Sequence, residues 1–362
     1  MKTGRSLQDL AREIERQQNA KKDFVAPTAK MEMIAAHPPQ FALGDPGPPR
    51  EVLGLNEVAN GQLAEYTGVP KAYYDRMRKD APGLLAANVN HWLANANEKR
   101  LVRTLDGNVR AFMSDRYRPL DNADLAEAVL PVIGDMGLYV VSCELTERRL
   151  YIKAFDRRIE REIAVKGTDP AHTFLKDVVY PSIVISNSEV GYGALSVAAG
   201  LYTGGCTNWA AFSDSKMRKY HIGGKAIDSE SVYALLSDET KRLTDAAIWS
   251  QTRDVVKSAF EIARFEERVA RIQETSVQPI EGDVVKVVNV AAERLGLNKA
   301  ESSSVLKHLI DGGDLSRYGL FNAVTRSAQD VESYDRATEI ESIGGRVIEL
   351  PRHDWERIAR AA

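Results

Sequence analysis

Apolar positions change their period along the chain. Leu7, Leu10 and Ile14 recur at helical spacing among Arg, Glu and Gln, which predicts a short amphipathic helix over residues 5–20. The stretch from Pro38 to Arg50 is rich in Pro and Gly and reads as a loop. Residues 56–80 predict two short helices about a corner at Gly68, with Pro70 suited to the first turn of the second. A similar spacing recurs at Ala292–Leu297. It also occurs in helix-turn-helix units. However, neither Lys71, Ala72 and Tyr73 nor Asn298, Lys299 and Ala300 make a base-reading set, so a plain αα-corner is expected at both places.

The middle third reads as strands. Leu101–Leu105 and Asn108–Met113 flank Asp106-Gly107, a pair that suits a type I′ turn and predicts a hairpin. A helix is expected over Asn122–Met136, then strands over 138–145, 150–155, 182–186 and 194–202. Strands this close, without a helix between each pair, argue for an antiparallel sheet. From Asp228 to about Val277 the period is helical, and it stays helical through residues 284–295, 300–310 and 319–343. Gly344-Gly345 predicts a stop, with a closing strand over 346–350. The expected class is α+β: an antiparallel sheet with hairpins in the middle, then a long helix and a helical C-terminal region. The expected divisions are an N-terminal helix and loop (1–50), an α+β core domain (51–226) and a helical region (227–362).

Composition narrows the function classes. Of 362 residues, 44% are hydrophobic and 27% charged, as in a soluble globular protein. The net charge of −3 argues against a polycation that coats nucleic acid. Two cysteines, Cys143 and Cys206, exclude a disulfide scaffold and fit a reducing, cytoplasmic setting. No apolar run is long enough to span a membrane or to act as a secretory leader.

Signals of catalysis are sparse. The six histidines form no metal-binding pair, and no phosphate-binding P-loop is present. Cys206 after Gly204-Gly205 suggests a nucleophile on a turn, but a small buried residue is the stronger reading. Basic residues give more. Lys99, Arg100, Arg103, Arg110, Arg116 and Arg118 crowd the hairpin, and Arg103 and Arg110 lie at equal distances from its turn. They are expected to share one solvated face and to hold an anion between them. Lys216, Arg218 and Lys219 form a second basic group. Between the two groups, residues 186–212 carry one charge, Glu189, with five glycines and the aromatics Tyr192, Tyr202, Trp209 and Phe212. Such a composition suits a groove as well as a tight central hairpin.

Three segments, Arg110–Asn122, Ile185–Gly193 with Leu201-Tyr202 and Cys206–Asn208, and Tyr318–Thr325 ending at Gly344-Gly345, resemble a phage- and plasmid-borne protein family of unknown function. The hairpin-rich middle followed by a long helix is also loosely similar to single-strand annealing proteins of the Rad52 and Redβ kind. These resemblances imply a gene of a bacterial mobile element.

The expectation drawn from all this is a single-stranded DNA-binding protein of annealing or recombination, with no catalytic residue, metal or cofactor. Arg103, Arg110, Arg116, Arg118, Lys216, Arg218 and Lys219 would meet phosphates, and Tyr117, Tyr192 and Trp209 would stack bases. Its expected partners are single-stranded DNA, further copies of itself and host or phage recombination proteins. The alternatives are a blocker of a host defence acting through protein contacts, and an enzyme using dispersed residues such as Asp115, Asn187, Glu189 and Cys206.

Overall fold

A computed structural model describes residues 2–45, 50–166, 174–204, 208–219 and 237–361. The chain is α+β, as expected, but its described residues build two sheets rather than one. Sheet one runs β1-β5-β6-β4-β3-β2, with β1 Lys22–Pro27, β2 Met31–Ile34, β3 Gln40–Leu43, β4 Glu51–Leu55, β5 Lys99–Leu105 and β6 Asn108–Ser114. Sheet two runs β12-β11-β10-β8-β7, with β7 Tyr139–Leu145, β8 Leu150–Phe155, β10 Phe174–Asn187, β11 Leu195–Thr203 and β12 Asn208–Lys219; β9 Arg161–Lys166 adds to the free part of β10. Every pairing is antiparallel except β4 with β6.

The helix and loop expected over residues 1–50 are built into both sheets. Leu10 and Ile14 of helix α1 (Leu7–Ala20) enter the core of sheet two, and β1–β3 belong to sheet one. Within the Pro- and Gly-rich stretch, burial of Phe41, Ala42 and Leu43 makes a strand of the residues between the turn formers. Residues 57–95 form α2 (Glu57–Tyr66), α3 (Lys71–Asp80) and α4 (Pro82–Asn95), which close the core of sheet one; Gly68 sits at φ 68° in the α2–α3 corner. Sheet two packs Ile152, Ile183, Ile185, Leu195 and Val197 against α5 (Asn122–Asp135), α1 and the end of α6 (Asp238–Ser258).

The C-terminal region holds α7 (Ile262–Ser276), α8 (Val284–Leu295), α9 (Lys299–Gly312), α10 (Arg317–Ser327), α11 (Tyr334–Glu349) and α12 (Arg352–Ala359). The predicted long helix is broken at Ala259–Glu261, where Ala259 and Phe260 turn into the core of sheet two. Nor does a strand close the chain at 346–350, because α11 runs straight through Gly344-Gly345. A Cβ on Gly344 would lie 2.3 Å from Thr325 Cγ2, so this glycine lets α11 and α10 touch rather than ending a helix. The end of α11 is held instead by buried Arg317, whose Nε donates to Val347 O at 2.8 Å and whose Nη2 donates to Ile348 O at 2.9 Å. Burial without a nearby compensating carboxylate lowers its pKa to about 10, against a weaker pull from Glu274.

A network of buried charges joins the two sheets. Asp106 (φ 51°) and Gly107 (φ 74°) make the predicted hairpin turn. A bulge then interrupts the register: Arg103 opposes Ala111, while Thr104 opposes Val109, leaving Arg110 as the extra residue. Both arginines point into the protein. Arg103 is fully buried and donates to Asp23 Oδ1 (2.9 Å), Asp121 Oδ1 (2.8 Å) and the carbonyl of Glu189 (3.0 Å). Arg110 Nη2 donates to Glu189 Oε2 at 2.6 Å, and Glu189 Oε1 accepts the backbone N–H of Asn122 at 2.6 Å. Lys21 Nζ completes the set on Asp121 Oδ2 at 2.6 Å. The solvated two-arginine face expected of this hairpin is therefore absent, because its charges are matched inside the protein.

Removing Arg103 leaves the largely buried Asp121 and the Glu189 carbonyl without their donor, while the more exposed Asp23 regains water, so the cost falls at the low end for a broken buried pair, about 3 kcal/mol. Arg103→Ala is expected to lose stability on that order in urea titration. Arg116→Ala, at an exposed position, should change it by less than about 0.5 kcal/mol.

Acid should attack the same place. Burial works to raise the Asp121 carboxyl, but the charge of Arg103 and the Lys21 hydrogen bond overcome it and hold the group below the usual carboxylate range. A lowered folded pKa contributes stability that is complete above the unfolded value, about 4, and is lost as pH falls through the folded value. The melting temperature should fall from about pH 4 downward. The gap between the native protein and Asp121→Asn should narrow over the same interval; a constant gap would contradict this assignment.

Candidate nucleic-acid interface

Strand register sorts sheet two into two faces. Ser182 opposes Phe155 and Gly200, Val184 opposes Lys153 and Ala198, and Ser186 opposes Tyr151 and Ser196. Tyr180 opposes Tyr202, which opposes Trp209, and Phe155 opposes Tyr139. Directly opposed residues share a face, as do residues two apart along a strand. One face is thus the isoleucine- and valine-rich surface on α5. The other carries six aromatics, Tyr139, Tyr151, Phe155, Tyr180, Tyr202 and Trp209, and a floor of mostly small residues.

Five of them form a continuous row across the strands. Ring centroids are 5.5 Å apart for Tyr139–Phe155, 4.5 Å for the stacked pair Phe155–Tyr202, 5.2 Å for Phe155–Tyr180 and 6.5 Å for Tyr202–Trp209. At the open end Tyr139 is 45% exposed, and the exposed Arg157 lies over its ring at 3.3 Å. Tyr180 and Tyr202 are half-buried. Burial raises both phenols, helped by Glu160 near Tyr180 and by Tyr139 near Tyr202, so at neutral pH both remain uncharged hydroxyls.

Beside this row the face is roofed by α11, and the space between is a cleft of about 740 Å³. The anchors of the roof are explicit. Tyr151 Oη donates to Asp335 Oδ1 at 2.9 Å, Ser142 Oγ and Tyr334 Oη share a hydrogen bond at 2.7 Å, and Lys153 Nζ donates to Glu341 Oε2 at 2.5 Å. Lys153 and Glu341 are both essentially fully buried. The floor is Val184, Ser186, Ser196 and Ala198. Arg149, Tyr151, Tyr192 and Gly193 stand at one end, and Arg336 and Arg346 of α11 stand on the roof.

The predicted residues scatter around this geometry. Tyr192 and Trp209 both line the cleft. The Trp209 ring is nonetheless fully buried, and Arg148 covers the Tyr192 ring at 4.8 Å. Tyr117 is turned inward and donates to Ser188 O at 2.9 Å. Arg103 and Arg110 are held in the junction, Arg118 pairs with Asp245 of α6, and Arg116 is exposed beyond the hairpin. In β12, Lys216 and Arg218 stand in register with Ala198 and Ser196 of the cleft floor, and Lys219 with Leu195. Asp115 is exposed and apart from Asn187 and Glu189, while Cys206 lies outside the described residues. Asn187 Nδ2 donates to Leu120 O and to Asn122 Oδ1, so the Asn187–Glu189 segment clamps the junction.

Sequence reading misses Tyr139, Phe155, Tyr180 and Arg346, and it takes the basic residues Arg148, Arg149, Lys153, Arg157, Arg158 and Arg161 for an ion-pair network rather than a docking site. The available signal was alternation: Tyr151, Lys153 and Phe155 on one strand, and Tyr180, Ser182, Val184 and Ser186 on another, mark a second, less apolar face. The chain matches no family model, no curated protein and no solved structure.

Proposed function

We propose that this protein binds single-stranded nucleic acid along the aromatic face of sheet two. The observation that carries the reading is the row Tyr139–Phe155–Tyr180–Tyr202, partly open to solvent, running into a cleft edged by Arg149 and Arg346. Aromatic rings on a sheet give sequence-tolerant stacking platforms, and arginines beside them meet phosphates. Arg157 at one end and Arg149 and Arg346 at the other would bracket the strand, while the small side chains of Ser186, Ser196 and Ala198 leave room between them. The resemblance to a mobile-element family and to annealing proteins fits such a role. The hairpin arginines play no direct part in it.

Fluorescence anisotropy with single-stranded and duplex oligonucleotides tests the proposal. Single strands should bind more tightly. Three arginine–phosphate contacts should give a log–log salt slope of about −2, at about 0.7 per phosphate. Tyr202→Ala should weaken binding by about 1–3 kcal/mol. Arg157→Glu should weaken it and flatten the slope. No binding at low salt, or identical affinity in both variants, would overturn the reading.

A further inference from the structure

We infer that the cleft under α11 is a pocket for a single nucleobase, or a planar heterocycle of the same donor–acceptor chemistry. The inference rests on the strand-binding reading only for the source of that base. Four polar atoms of the lining residues are buried without any hydrogen-bond partner: Arg149 Nε, Trp209 Nε1, Thr338 Oγ1 and Glu341 Oε1. They come from the turn before β8, from β12 and from α11, three separate parts of one enclosure. Each such atom carries a desolvation cost that a bound partner would remove. All four belong to residues that line one cleft, so a group seated in it, with a small adjustment of these side chains, would supply the missing partners.

The kinds of atom define that ligand. Arg149 and Trp209 offer N–H donors, Thr338 offers a hydroxyl of either role, and Glu341 offers an acceptor. Glu341 and Arg336 are already matched in charge. Lys153 takes the other oxygen of Glu341, and Arg336 is met by Glu301 (2.7 Å) and Glu339 (2.8 Å). A phosphate placed here would face an unpartnered carboxylate oxygen, so the group that enters must bring a donor for Glu341 as well as acceptors for the two N–H groups. The hydrogen-bonding edge of a base does both. Tyr151, Tyr192, Val184 and Ile343 supply flat and apolar walls, and the volume falls within the range of about 300–1,000 Å³ common to small-ligand sites.

Two glycines set the donors in place. At Gly193, with φ 141°, a Cβ would lie 1.5 Å from Arg149 Nη2, so only glycine lets the guanidinium rest there. At Gly200 a Cβ would lie 2.2 Å from Ala210 O and 3.1 Å from Trp209 Nε1, so this glycine admits the backbone of β12 together with the indole beside it. The Gly-rich composition of this segment is thereby tied to the positions of both N–H groups.

Ligand-observed NMR on the full chain with free cytidine, adenosine, guanosine and thymidine tests the pocket apart from any strand. Saturable binding of one or more nucleosides is expected. It should weaken about tenfold in Thr338→Val, which keeps the shape and removes the hydroxyl, and similarly in Trp209→Phe. Melting temperatures verify folding, and Thr338→Val alone carries the test if Trp209→Phe does not fold. Nucleoside binding without oligonucleotide binding would leave the pocket standing and overturn the strand reading. Oligonucleotide binding with no nucleoside bound, and with affinity unchanged in Thr338→Val, would overturn the pocket.

Discussion

The architecture depends on a small set of charges enclosed between two sheets. Arg103 is sealed from water, yet all three of its bonding directions are used: Asp23 in β1, Asp121 before α5 and the Glu189 carbonyl after β10. Glu189 returns the contact through its carboxylate, to Arg110 and to the first backbone N–H of α5. The hairpin of one sheet, the helix that backs the other and the loop after its central strand thus meet at one point. A guanidinium satisfies this geometry because its planar fork presents donors in several fixed directions; a lysine ammonium could not span the same partners. Little apolar contact supplements the charges here, since the nearby cluster is small: Val58, Leu101, Ala111, Met113 and Val190.

That junction has a consequence for the cleft on sheet two. The loop that carries Glu189 continues directly into Tyr192 and Gly193 at the mouth of the cleft. Ser188, one residue before Glu189, donates to the carbonyl of Arg148, next to Arg149. Holding Glu189 therefore places the Arg149 end of the cleft, while Lys153 and Asp335 place its roof through Glu341 and Tyr151. The far side of this sheet is supported by the apolar core on α5 and, behind Tyr180, Tyr202 and Trp209, by Val179, Leu201 and Ala210 in the core of the C-terminal helices.

How much of this was legible follows from the range of the interactions. The hairpin turn is encoded in two adjacent residues and was read correctly. The α2–α3 corner depends on Gly68 and its neighbours and was also read. The fate of Arg103 was not legible, because Asp23 and Glu189 lie about as far from it in sequence as the first sheet is long, and a bulge breaks the simple symmetry of the hairpin. Gly344-Gly345 misled for a related reason. A glycine that admits a neighbouring helix looks, in one dimension, like a glycine that ends its own. Tyr192 and Trp209 were found through composition, whereas their companions Tyr139, Phe155 and Tyr180 sit on strands whose pairing brings them into line only in the folded sheet.

The central claim is that nucleic acid lies on the aromatic face of sheet two and not on the basic hairpin of sheet one. Photochemical cross-linking of a single-stranded oligonucleotide, followed by peptide mapping, tests this most directly. The account predicts cross-links at Tyr139, Tyr180 and Tyr202, with Tyr192 at the mouth of the cleft. Cross-links confined to residues 99–118, with sheet two unmarked, would contradict it.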